Sequence, residues 1–186
     1  MTASPGLGIA PVALRYQNVY GPGQSLSNPY TGILSIFSNL VRAAKPINIF
    51  EDGTESRDFV FIDDVVGATV LAVEHEAAAG EVFNVGTGVP TSVLQVARGL
   101  NEKLGGSSPI QITGDFRIGD IRHNFADISK IGSRLGFVPA FEFESGLSRF
   151  CDWVRATVAG AGDYEGSLEE MKVRGLLKGS SAPAGG

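Results

Sequence analysis

Short apolar runs of strand type alternate with helical repeats along most of the 186 residues, and nothing else in the sequence constrains the fold as much. Val12–Gln17 is an apolar run without helical periodicity, and Gly21-Pro22-Gly23 stops regular structure after it. Ile33, Ile36, Phe37, Leu40, Val41 and Ala44 then recur at helical spacing until Pro46 ends the pattern. Ile47–Phe50 and Asp58–Ile62 read as strands on either side of the loop Glu51–Ser56, where Asp52-Gly53 favours a turn. Asp63 is expected to cap a helix from Asp64 to about Ala78, apolar on nearly every side and so expected to be buried. Glu81–Val85 is a strand. Ser92 with Gln95 makes a capping box for a helix through Leu104, closed by Gly105-Gly106. Ile110–Thr113 and Asn124–Ala126 are weak strands. Asp127 is expected to cap a brief helix ending at Leu135 with Gly136 as its stop, and a last helix spans about Glu144 to Val158. Beyond Gly160 the pattern fades, and 175–186 reads as a flexible tail. Strands alternating with helices indicate an α/β or α+β fold.

Composition removes several function classes. Hydrophobic residues make up 43% of the chain and charged residues only 19%, which is unlike disordered sequence. A net charge of −5 argues against nucleic-acid binding, which favours a basic surface. With one cysteine, Cys151, there is no internal disulfide, and with two histidines, His75 and His123, a zinc enzyme is not expected. Arg15 is the one charged side chain before Arg42. The charge-free stretch 16–41 is long enough to span a membrane, but Gln17, Asn18, Pro22, Gln24, Asn28 and Pro29 interrupt it. No basic residue precedes the apolar part, so the opening does not read as a signal peptide either. An uncharged opening is expected to be buried, with a neutral, loop-rich surface as the alternative.

Gly86-Thr87-Gly88-Val89-Pro90-Thr91 follows a strand and precedes a helix, as a dinucleotide-binding turn does. Thr91 replaces the third glycine, and Pro90 removes an N–H where phosphate contacts would be wanted, so a structural turn is the better reading. No nucleophile elbow, zinc-protease or Walker motif occurs. His75 falls in the last turn of a helix, where a cation suits the dipole. His123 reads as a surface residue beside a loop, and Cys151 as core within an apolar stripe. The remaining signal is arginine in loops: Arg57 before an apolar strand, and Arg117 and Arg122 around Gly119-Asp120. Guanidinium groups pair well with phosphate, although by spacing alone solvated surface arginines are the simpler reading.

Four motifs in order carry a family resemblance over about residues 10–157. They are Leu14-Arg15-Tyr16-Gln17-Asn18-Val19-Tyr20-Gly21-Pro22-Gly23-Gln24; Phe50-Glu51-Asp52-Gly53 with Ser56-Arg57-Asp58-Phe59-Val60-Phe61-Ile62-Asp63-Asp64-Val65; Phe83-Asn84-Val85-Gly86-Thr87-Gly88; and Gly119-Asp120-Ile121-Arg122 with Ala126-Asp127. Together they resemble the extended short-chain dehydrogenase/reductase family, whose members include nucleotide-sugar epimerases and dehydratases such as UDP-galactose 4-epimerase. The resemblance implies an α/β fold, the C-terminal portion of an extended Rossmann-type protein. Residues 1–24 would close the dinucleotide-binding domain, and 25–174 would form the substrate-binding region, with 64–104 partly returning to the Rossmann sheet.

The family's Gly-x-x-Gly-x-x-Gly loop and Tyr-x-x-x-Lys pair do not occur here, since no tyrosine has a lysine four residues later. The chain is therefore expected to hold no catalytic residue and to leave the main NAD site to the preceding half, with Met1 the start of a truncated or misannotated frame or of a deliberate fragment. By resemblance Tyr16 approaches the nicotinamide end of the cofactor, and Asn18 lies beside the sugar and diphosphate. Asn48 and Phe50 fit the strand that cradles the base. Arg57 and Arg117 would clamp the diphosphate with help from Arg122, and Asp120 would lie near the ribose or phosphate. Asn124 stands where some epimerases have an aromatic residue, so sugar specificity does not carry over. The implied substrate is a UDP- or dTDP-linked sugar and the implied reaction 4-epimerisation. The alternatives are a 4,6-dehydratase fragment and a non-catalytic nucleotide-sugar-binding module or remnant. No metal, nucleic-acid or membrane partner is expected; the full-length enzyme would be a cytoplasmic homodimer. A mean hydropathy of +0.11 leads to the expectation of exposed apolar surface.

Overall fold

In a computed structural model of the protein, residues 8–26, 32–157 and 164–178 are described. The expected strand at the start is two strands, β1 (Ala13–Tyr16) and β2 (Asn18–Tyr20). The chain changes partner at Gln17: β1 runs parallel to β5 (Val82–Val85), whereas β2 runs parallel to β4 (Ser56–Phe61). β4 also pairs antiparallel with β6 (Pro90–Ser92) and parallel with β9 (His123–Asn124). β6 is a strand that sequence reading missed, because Pro90 argues against one. It sits at the first strand position, where its missing N–H is tolerated. β3 (Ile47–Ile49) and β7 (Ile110–Ile112) form a separate parallel pair.

The helices are α1 (Ile33–Arg42), α2 (Ile62–Glu74), α3 (Val93–Leu104), α4 (Ser129–Leu135), α5 (Phe143–Ala156) and α6 (Tyr164–Val173). α3 carries the anticipated capping box: Ser92 accepts the Gln95 N–H, and Gln95 accepts the Ser92 N–H. Gly105 and Gly136 take the left-handed conformation that ends α3 and α4. Asp63 does not cap α2, since Phe61 holds the cap position and Asp63 faces Arg149. Asp64, buried, accepts the N–H groups of Ala140 and Phe141 at 2.8 and 3.2 Å and fastens that segment to the start of α2. α2 ends at Glu74 rather than Ala78, and a 3₁₀ turn covers Glu76–Ala78. His75 is therefore the extended residue after the helix and not part of its last turn. Asp127 accepts the Ser129 N–H, but Ile128 occupies the cap position of α4. No helix among the described residues is long and apolar enough to cross a membrane.

β4 is the wall between two apolar clusters. Phe59 and Phe61 face a cluster with Leu34, Phe37, Leu100, Leu147 and Phe150, while Val60 faces one with Val65, Ala68, Phe83, Val85 and Ile131. Period-two alternation sends successive side chains to opposite sides. Tyr20 joins the first cluster edge-on to Phe61 and donates its hydroxyl to the Phe143 carbonyl at 3.2 Å. A Cβ at Gly146 would lie 2.2 Å from that hydroxyl, so α5 approaches Tyr20 because residue 146 is glycine. Cys151 is fully buried in the same cluster, and burial pushes its thiol up to about 11.

Two burial expectations need correction. Of the uncharged opening, Tyr20, Leu26 and much of α1 are buried, but Ile9 and Tyr16 are exposed. α2 is not enclosed: Val65, Ala68 and Ala72 pack inward, whereas Val66, Val70 and Val73 are exposed. No element among the described residues covers the second face, so uniform apolarity here does not mean uniform burial. It does supply the exposed apolar surface that the hydropathy suggests. The region past Gly160, expected to lack pattern, contains α6, and Leu177–Lys178 form β10 antiparallel to β8 (Phe116–Arg117). The tail is thus ordered at its first residues, and 179–186 lie outside the described residues.

Asp58 is fully buried on the face of β4 opposite Phe59. Its carboxylate accepts the Thr87 N–H at 2.8 Å, the Thr87 hydroxyl at 2.7 Å, the Gly88 N–H at 2.9 Å and the Ala126 N–H at 3.2 Å. A Cβ at Gly86 would come within 2.4 Å of the same carboxylate. The glycine turn after β5 is therefore structural, its amides committed to an internal anion. Asp58→Asn replaces one acceptor oxygen with an NH2 group facing N–H donors. It is expected to lower stability by about 3 kcal/mol, measured as a shift in the urea midpoint.

Candidate functional site

Alternation along β4 also builds the site. Glu55, Arg57 and Phe59 share one face, and all three line a cavity of about 500 Å³. Asn18 enters from β2, Asn48 from β3, Phe50 and Glu51 from the turn after β3, Arg117 from β8 and Asp120 from the loop after it. The apolar side of the cavity comes from Ile33 and Phe37 of α1 and Val93 of α3.

The polar groups are held by specific contacts. One guanidinium nitrogen of Arg57 donates to the carbonyls of Ser56 and Arg122 at 2.9 and 3.0 Å, and the other donates to Asp120 at 2.8 Å. The Arg117 guanidinium lies 5.2 Å from the centroid of the Phe50 ring, a cation–π arrangement. Asn18 donates to the Asp58 carbonyl at 3.3 Å, so the backbone of the buried aspartate orients a cavity side chain.

Arg122 lies outside the cavity. It donates to the carboxylates of Glu51 and Asp52 and, at 2.9 Å, to the Thr54 hydroxyl. The Thr54 hydroxyl and N–H, and then Arg122, hold the Asp52 carboxyl well below the usual carboxylate range. This lowered value stabilises the contact above the ordinary carboxylate pKa of about 4 and is lost as pH falls through the folded value. Arg122 therefore pins the loop bearing Arg117 and Asp120 to the turn bearing Phe50. Ser56 bonds His123 Nδ1 at 2.9 Å on the opposite face of β4, which places His123 at the base of this loop.

Of the residues singled out from sequence, Asn18, Asn48, Phe50, Arg57, Arg117 and Asp120 meet in this one cavity. Tyr16 and Arg122 do not line it. Tyr16 is exposed, its hydroxyl 3.0 Å from that of Thr69 on α2. Sequence reading missed Glu55, which lay in an assumed loop. Counting back two residues from Arg57 along an extended strand is the signal that finds it.

Residues 2–86 match the family model described as the NAD dependent epimerase/dehydratase family. Over 141 residues the chain is 45% identical to a dTDP-L-rhamnose 4-epimerase of Burkholderia thailandensis, covering 76% of this chain and 39% of that protein. The UDP-glucose 4-epimerase of Thermotoga maritima, solved with UDP-glucose, superposes with a TM-score of 0.73 at 36% identity, covering 84% of this chain and 49% of that one. The Thermus thermophilus UDP-glucose 4-epimerase, solved with NAD, gives a TM-score of 0.72 at 28% identity over 83% of this chain and 50% of that one. The chain thus spans half or less of the length of each of these proteins.

Surface ion pairs contribute little to global stability, about 0–1 kcal/mol. Arg122→Ala is therefore expected to speed amide hydrogen exchange across 117–122 while moving the urea midpoint little. Unchanged exchange in that loop would show that Arg122 does not pin it.

Proposed function

We propose that this chain, whose residues 2–86 match the NAD dependent epimerase/dehydratase family model, supplies the substrate-holding side of a nucleotide-sugar 4-epimerase. One observation carries the reading. Asn18, Asn48, Phe50, Arg57, Arg117 and Asp120 are far apart in sequence and line a single cavity. In this reading Arg57 and Arg117 bind the diphosphate of a UDP- or dTDP-linked sugar, Phe50 and Asn48 hold the base, Asp120 takes the ribose and Asn18 faces the sugar. Charge-assisted hydrogen bonds to phosphate are roughly twice as strong as neutral ones, so the guanidinium groups dominate the binding energy. Anchoring at the nucleotide suits an epimerase, whose sugar must turn over between two faces and so cannot be gripped tightly.

NAD is the cofactor the family implies. The described residues do not fit its pyrophosphate: the amides of Thr87 and Gly88, in the turn that resembles a dinucleotide loop, are bonded to Asp58. No tyrosine is followed by a lysine four residues on. In our proposal, therefore, these residues bind and orient substrate, Tyr16 marks the side nearest the nicotinamide, and the chain by itself transfers no hydride.

Titration calorimetry with UDP tests the binding half of the proposal. The wild-type chain is expected to bind UDP, and Arg57→Ala to weaken binding about 10- to 100-fold, equivalent to roughly 1.5–3 kcal/mol. A folded chain with no affinity for UDP or dTDP would reject the nucleotide reading. An assay with NAD and UDP-glucose or dTDP-L-rhamnose tests the other half, and sustained turnover by the 186-residue chain would reject it.

A further inference from the structure

The cavity contains two buried polar groups that the assignments above leave without a partner. Both carboxyl oxygens of Glu55 are shielded from solvent and accept no hydrogen bond from any other described residue, and Arg117 Nε likewise has no acceptor among the described residues. Glu55 is only 7% exposed. Buried polar atoms are nearly always satisfied, and an unpaired buried carboxyl is costly to keep. The main-chain carbonyl of Glu55 accepts the Val93 N–H at 2.9 Å, whereas its side chain bonds no other described residue. Burial pushes its carboxyl up from the ordinary glutamate value; its own backbone N–H opposes the shift, Glu51 and Asp52 add to it, and Arg122 opposes it. A second cavity of about 650 Å³, between α3 and residues 139–144, is lined by no such orphan group. Glu55 and Arg117 line the same cavity as Arg57 and Phe50.

An acceptor that needs donors and a guanidinium N–H that needs an acceptor, in one cavity beside an aromatic ring, call for a flat ligand carrying both. We propose that Glu55 is a specificity-determining residue of this cavity and that its carboxylate accepts the ring N–H of a lactam-type nucleobase, while Arg117 Nε–H donates to an oxygen of the same nucleotide. The inference rests on the nucleotide reading given above and deepens it. Uracil, thymine and guanine carry a ring N–H beside a carbonyl, whereas cytosine and adenine present a bare ring nitrogen at that edge. An ionised carboxylate only accepts hydrogen bonds, so it pairs with the first group and meets lone pair with lone pair in the second. UDP and CDP have nearly the same shape and charge and differ at this edge, which makes them the sharpest comparison.

The test is calorimetry at pH 8 on the full 186-residue chain with UDP against CDP and GDP against ADP, for wild type, Glu55→Gln and Glu55→Leu. The expected result is at least a tenfold preference for the lactam base in one of the two pairs, falling to within about threefold in both variants. Which pair discriminates tells pyrimidine from purine. Arg57→Ala is expected to weaken all four nucleotides and leave the ratios unchanged. The unliganded variants are expected to melt at or above the wild-type temperature, because an unpartnered buried carboxyl has been removed. A residue that only supports the fold would melt lower. Equal affinity within both wild-type pairs, or a preference that survives Glu55→Gln, would overturn the role of Glu55 while leaving nucleotide binding intact. No binding of any nucleotide by the folded wild-type chain would overturn the reading on which it rests.

Discussion

A buried carboxylate with no ion-pair partner among the described residues holds the centre of this structure together. Asp58 gathers the amide and hydroxyl of Thr87, the amide of Gly88 and the amide of Ala126. Its bonds join three segments: the strand that bears Arg57, the turn after β5, and the stretch that follows β9. A charge taken out of water needs such a set of donors to remain stable. Gly86 leaves room for it, since any side chain there would press against the carboxylate. The backbone carbonyl of Asp58 also receives Asn18, so the same residue that closes the core sets one polar wall of the cavity.

β4 divides the molecule by alternation. Val60 packs toward α2 and β5, Phe59 and Phe61 toward α1, α3 and α5, and the cavity opens along the line of Glu55, Arg57 and Phe59. The aromatic end of this line is satisfied by packing and the charged end is not. Arg57 shares its donors between backbone carbonyls and Asp120, whereas no other described residue donates to the Glu55 carboxyl. Such a gradient from a well-packed interior to an unsatisfied pocket is expected where a structure keeps surface for a ligand at some expense of its own stability.

Legibility in the sequence followed the range of the interactions. The Ser92–Gln95 capping box and the stops at Gly105 and Gly136 involve neighbours along the chain, and each was readable as it stands. β6 and β10 are strands because of distant partners: Pro90–Ser92 lies against β4 and Leu177–Lys178 against β8. The split at Gln17 was hidden for the same reason, as neither half of the run changes composition where the partner changes. α2 misled in the other direction. Its valines are apolar on every side, but only the face with Val65, Ala68 and Ala72 meets the core.

At the site, the motifs contain Asn18, Phe50, Arg57 and Asp120, because residue type and local spacing are what a motif records, and the resemblance extends to Asn48 and Arg117, each two residues before a motif segment. The order of elements was likewise written in periodicity and caps, and the family resemblance in short motifs, all of which act through adjacent residues. That these six side chains line one cavity, that Arg122 fastens a loop instead of facing it, and that Glu55 shares that cavity with Arg117 depend on contacts between segments many residues apart. Such contacts exist only after β2, β3, β4 and the loop after β8 have been brought together, and no local pattern encodes the distance between them.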